Sequence, residues 1–117
     1  MNRERIGLVI WFLAICITTV GSLTPSASLP ELKASDKGLH FITYSILSFI
    51  PALTFGWTRK GVLACLAMVV LGLGLEFGQL WIPGRSFETS DILANGLGVL
   101  IGLISGIMVR RLRGSLN

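Results

Sequence analysis

The residues able to do chemistry in this chain gather in a few short stretches. Asp36, Lys37, His40 and Tyr44 open one apolar run, and Glu76 and Gln79 come towards the end of the next. Asp91 and Asn95 open the last run, with Arg85 and Ser86 in the connection before it. An imidazole near carboxylates can accept and pass protons, so His40, Glu76 and Asp91 are the acid–base set on offer. Arg85 and Lys37 are the cations able to hold a phosphate or carboxylate; the rival role for Arg85 is a loop partner of Glu88 or Asp91. A charged Glu76 inside an apolar helix needs a partner, and Arg85, Lys37 and His40 are within reach. Its plainer role is a buried ion pair or hydrogen bond that fixes helix packing. For Asp36 and His40, a helix-capping acid beside an interfacial histidine is equally economical. Ser86 as a nucleophile served by His40 lacks framing such as a G-x-S-x-G elbow. His40 is the only histidine, which excludes a multi-histidine metal site. Asp36, His40, Glu76 and Asp91 could in principle form a carboxylate-rich divalent site, but no spacing fixes one, and neither metal nor cofactor is expected.

The elements that must position these groups are membrane helices. Hydrophobic residues make up 52% of the chain and charged residues 14%, with mean hydropathy +0.76. Soluble domains carry about a quarter charged residues, so the balance points to a membrane protein. The net charge of +4 sits at the edges of the apolar runs, without a nucleic-acid motif, so a nucleic-acid partner is not expected. Cys16 and Cys65 lie in apolar runs without CxxC spacing and act as small hydrophobes.

Periodicity and breakers predict one domain, 1–117, an all-α membrane protein built as a four-transmembrane-helix bundle with helices over about 6–23, 36–57, 61–82 and 91–109. The first is read as a retained helix in preference to a cleaved signal peptide. Thr24 to Ser35 reads as a loop around Pro25 and Pro30, with Ser35 a candidate cap for the second helix. Pro51 bends that helix without ending it. Arg3, Arg5, Arg59, Lys60, Arg110, Arg111 and Arg113 fall at one end of the bundle, and Lys33, Lys37 and Arg85 at the other. The positive-inside rule then predicts both termini in the cytoplasm and the polar groups facing outward.

At 100° per residue, Asp36, His40 and Thr43 share a face, as do Gly72, Glu76 and Gln79. Asp91, Asn95, Gly98, Gly102, Ser105 and Gly106 form one narrow stripe. Antiparallel helices bring the three polar faces to the same end. Gly98, Gly102 and Gly106 are two overlapping G-x-x-x-G motifs, suited to close approach by a helix of this chain or of a second copy. Trp57 and Trp81 fall near helix ends, where interfacial aromatics anchor.

These residues resemble the VanZ-like family of small bacterial membrane proteins. The match is carried by Asp36-Lys37-x-x-His40-x-x-x-Tyr44, Glu76-x-x-Gln79, Pro83-Gly84-Arg85-Ser86 and Asp91-x-x-x-Asn95-x-x-Gly98-x-x-x-Gly102, in order over about residues 30 to 106. The Asp-Lys-His opening is more similar to the short chromosomal members than to the named resistance protein. The resemblance implies a multi-pass protein of the bacterial cytoplasmic membrane. The named member lowers susceptibility to teicoplanin, an acyl-bearing glycopeptide that acts on lipid-linked cell-wall precursors outside that membrane. Asp36, Lys37, His40, Tyr44, Glu76, Gln79, Arg85, Ser86, Asp91 and Asn95 are thus expected to line an outward pocket for a membrane lipid or lipid-linked precursor. An acid–base hydrolase or transferase, and an assembly partner of another membrane protein, are the alternatives.

Overall fold

A computed structural model describes residues 1–25 and 36–116, with the side chains of Asp36 and Leu116 outside the description. Four helices follow in order: α1 (Arg3–Ser22), α2 (Asp36–Phe55), α3 (Arg59–Gln79) and α4 (Thr89–Leu116). All four are long and apolar enough to cross a membrane. Apolar residues stay exposed along every helix, Phe12, Ile17, Val70 and Leu93 among them, as expected of surfaces whose solvent is lipid. Trp57 and Trp81 are 66% and 78% exposed, just past α2 and α3 and hence at opposite ends of the bundle. Most of the expected 24–35 loop, with the Ser35 cap, lies outside the described residues.

Local chemistry explains where the helices depart from their expected bounds. Thr58 caps α3 by accepting from Gly61 N–H at 3.2 Å, so Arg59 and Lys60 belong to its first turn and not to a separate connection. Pro83 has no N–H to offer Gln79 O and disfavours helical geometry at Ile82. The helix therefore stops at Gln79, and Ile82 N–H takes that carbonyl in a tighter turn at 3.1 Å. Glu76 consequently sits within the last turn of α3 instead of two turns deep. At the other end α4 continues to Leu116, because Arg110, Arg111, Leu112 and Arg113 are good helix formers.

The core is small: Tyr44, Leu47, Ala52, Cys65, Met68 and Val99 are buried where α2, α3 and α4 meet. The α2–α4 pair is the most extensively packed. A Cβ on Gly98 would lie 2.5 Å from Phe41 O, one on Gly102 would overlap Ser45 O, and one on Gly106 would lie 2.6 Å from Ala52 Cβ. The glycine stripe of α4 thus lies against backbone and small side chains of α2 in the same chain, Ser45, Ser48 and Ala52 supplying the matching low relief. Both cysteines are free, and Cys65 Sγ donates to Ser48 O at 3.5 Å.

No residue of α1 is fully buried. A groove of about 190 Å³ separates it from α2 beside Ala14, Ile17, Thr43 and Leu47. Trp11, Ala14 and Ile15 pack against the core from the side, and polar ties add to that contact. Pro51 leaves Leu47 O without its i+4 donor inside α2, and Trp11 Nε1–H donates to that carbonyl at 2.8 Å. A tryptophan in mid-span, away from the interfaces it prefers, was the sequence signal for this tie. Trp11→Phe is expected to keep the ring's packing but orphan Leu47 O, costing about 1–3 kcal/mol. A fall in the thermal midpoint of the detergent-solubilised protein checks this, and an unchanged midpoint refutes it.

Candidate functional site

Three helix ends meet at a buried polar cluster one turn in from the end of the bundle. His40 comes from the second turn of α2, Glu76 from the last turn of α3, and Asp91 and Asn95 from the first two turns of α4. Glu76, Asp91 and Asn95 are 1%, 5% and 3% exposed. His40 Nδ1 is 2.9 Å from Asn95 Oδ1. With that amide oxygen accepting, Nδ1 carries the proton, and in the neutral ring Nε2 keeps its lone pair. Nε2 faces Asp91 Oδ2 at 3.8 Å, an ion pair if the ring is protonated. Glu76 Oε2 accepts from the backbone N–H of Glu88 at 3.4 Å. Its Oε1 is buried with no hydrogen-bond partner among the described residues. One ligand-type atom from each of His40, Glu76 and Asp91 lies within 4.8 Å of the others.

Small residues make this convergence possible. A Cβ on Gly72 would come within 3.1 Å of Asn95 Nδ2 and 3.2 Å of the Tyr44 ring. The α3 glycine therefore admits the amide that orients His40, and Tyr44 packs below it at 3% exposure as part of the core. Such an oriented imidazole between two carboxylates can move a proton, hold a cation or anchor the hydroxyls of a polar ligand.

The connection from α3 to α4 does different work from that expected of it. Gly84 takes φ 76°, the left-handed conformation that suits glycine in a tight turn. Arg85 then points away from the carboxylates. Its Nη2–H donates to Gly21 O at 2.9 Å and its Nε–H to Thr24 O at 3.2 Å. Gln79 Nε2–H donates to Ser22 O at 3.0 Å. Both residues thus cap the C-terminus of α1, where a cation complements the helix dipole. Arg110 does the same for α2 at the opposite end, donating to Leu53 O at 2.9 Å and Thr54 O at 2.7 Å. Arg85 accordingly serves the end of α1, and Glu76 takes its hydrogen bond from the backbone of Glu88. Glu88 pairs with Lys37 at 3.3 Å, both side chains about half exposed, and accepts from Ser86 Oγ at 3.5 Å. Glu88 is the residue that the sequence undervalued: its backbone closes over Glu76 while its side chain holds Lys37. Phe87 stacks obliquely on Phe77, ring centres 5.2 Å apart, and anchors this loop to α3. Asp36 begins α2; its side chain lies outside the description.

A model of the VanZ/LLP1 family matches residues 6–110, all four helices included. The chain belongs to the VanZ/LLP1 family. An uncharacterised protein of the fission yeast Schizosaccharomyces pombe is 29% identical over 116 residues, covering 95% of this chain and 68% of its own length. No solved structure matches the chain significantly. The VanZ-like assignment drawn from the ordered motifs therefore holds, and the similar protein found is from a yeast.

Proposed function

We propose that this VanZ/LLP1 membrane protein binds the polar headgroup of a lipid or lipid-linked envelope molecule at the non-cytoplasmic face. The observation that carries the reading is the burial of Glu76, Asp91 and Asn95 beside a part-buried His40 at one end of an otherwise apolar bundle, since ionisable groups within membrane spans are functional by default. Lys37 stands at the rim in an exposed pair with Glu88. Exposed pairs are worth about 0–1 kcal/mol, so Lys37 can exchange Glu88 for an incoming phosphate at little cost. Seven basic residues at the opposite end support an arrangement with both termini in the cytoplasm. In a bacterium, the same reading extends to lipid-linked cell-wall precursors and to an acyl-bearing glycopeptide such as teicoplanin. The yeast relative favours a ligand class not confined to bacteria.

Mass spectrometry of the lipids retained after mild detergent purification tests the reading. A specific anionic lipid is expected with the wild type, reduced at least fivefold in Lys37→Ala and in Glu76→Gln, and unchanged in Lys60→Ala at the opposite end. Identical lipid complements in all four proteins would overturn it. The second reading, an acid–base hydrolase or transferase, is favoured by the His40 ring held by Asn95 with Nε2 towards Asp91. Recovery of a cleaved or transferred lipid with the wild type, and of its intact form with Asp91→Asn, would favour that reading instead.

A further inference from the structure

We infer that His40 Nε2 and the carboxylates of Glu76 and Asp91 bind one divalent cation of the Mn²⁺ or Zn²⁺ class. The inference stands on donor geometry and not on the lipid reading. Two ligands on such an ion, with bonds of about 2.0–2.2 Å, stand roughly 3–4.4 Å apart. The 3.8 Å between His40 Nε2 and Asp91 Oδ2 lies in that range and is too long for a hydrogen bond. The donor atoms of all three residues lie within 4.8 Å of one another, so closing on an ion takes inward shifts of up to about 1 Å per ligand.

Glu76 supplies the independent observation. It is 1% exposed, and its Oε1 has no hydrogen-bond partner among the described residues. Among the described residues, Lys37 is engaged with Glu88 and Arg85 with the carbonyls of α1, so neither neutralises it. A buried carboxylate oxygen with no donor among the described residues is suited to ligate a cation. Asn95 completes the arrangement. Metal-bound histidines characteristically donate their other ring N–H to an oxygen, and His40 Nδ1 is 2.9 Å from Asn95 Oδ1. One imidazole and two carboxylates suit Mn²⁺ or Zn²⁺ better than Ca²⁺, which takes six to eight oxygens. Three protein ligands leave coordination positions open, as in metal sites that engage a substrate oxygen.

The test uses the full chain in detergent, stripped with a chelator and titrated with Mn²⁺, the free ion being followed by electron paramagnetic resonance. One equivalent is expected to bind saturably and to be displaced by Zn²⁺. Glu76→Gln and His40→Ala should weaken binding by tenfold or more, Asn95→Ala by a similar factor through lost orientation of the ring, and Arg111→Ala not at all. No saturable binding of either ion to the wild type up to millimolar concentration would overturn the inference. So would wild-type affinity in folded Glu76→Gln and His40→Ala. Should those variants fail to fold by circular dichroism, X-ray absorption on the Zn²⁺-loaded wild type decides: a shell with one imidazole and oxygen ligands upholds the site, and one without imidazole removes it.

Discussion

Gly102→Leu is expected to abolish folded protein, whereas Gly96→Leu on the same helix leaves it intact. The difference lies in what a side chain would meet. A Cβ on Gly102 overlaps Ser45 O and comes within 2.9 Å of both Phe49 N and Ser48 Cβ, while one on Gly96 meets nothing within 4 Å. Two of those three obstacles are backbone atoms of α2, which no rotamer change can move. Even Gly102→Ala must drive α2 and α4 apart, at about 1–3 kcal/mol for the overpacking alone, and a leucine adds further side-chain volume to the same seam. Because α2–α4 is the most extensive contact in the bundle, and the polar cluster joins α2 to α4 through His40, Asp91 and Asn95, separation also dismantles the site. Fluorescence-detected size-exclusion chromatography after detergent extraction checks this. A monodisperse Gly102→Leu peak with the wild-type thermal midpoint would show that the stripe is not the main seam.

Arg85→Ala is expected to loosen α1 without disturbing the carboxylate cluster. The guanidinium holds Gly21 O and Thr24 O, and hydrogen bonds from a charged group contribute about 1.5–3 kcal/mol each. Losing both should cost roughly 3–6 kcal/mol of α1 docking, leaving the helix held by the partial packing of Trp11, Ala14 and Ile15 on the core and by the Trp11–Leu47 hydrogen bond. Arg85→Lys should rescue only in part, because an ammonium cannot span two carbonyls with the planar fork of arginine. Cysteine crosslinking between α1 and α2 reads the docking directly, and Mn²⁺ or lipid retention reads the site. Intact crosslinking with lost lipid would return Arg85 to the ligand. Lost crosslinking with retained lipid places it in the scaffold.

The division between what the sequence determined and what only tertiary structure decided follows from the range of the forces involved. Hydropathy and breakers act over a few residues, so the four spans, the survival of α2 through Pro51 and the family's ordered motifs were all legible from composition and spacing. Helical periodicity likewise placed Asp91, Asn95, Gly98, Gly102 and Gly106 on one stripe. It could not say what would lie against that stripe, because Ser45, Ser48 and Ala52 become its partners only when α2 is rotated to present them. The same holds for the charged groups. Arg85, Lys37 and His40 were all within sequence reach of Glu76, and choosing among them required the path of the 80–88 connection. That path sends Arg85 to the end of α1, brings Glu88 back over α3 and leaves one Glu76 oxygen without a hydrogen-bond partner among the described residues. Residue types and faces are local properties of a helix. The few ångströms separating His40, Glu76 and Asp91 arise from the contact of three helices, and only there does a set of polar residues become a site.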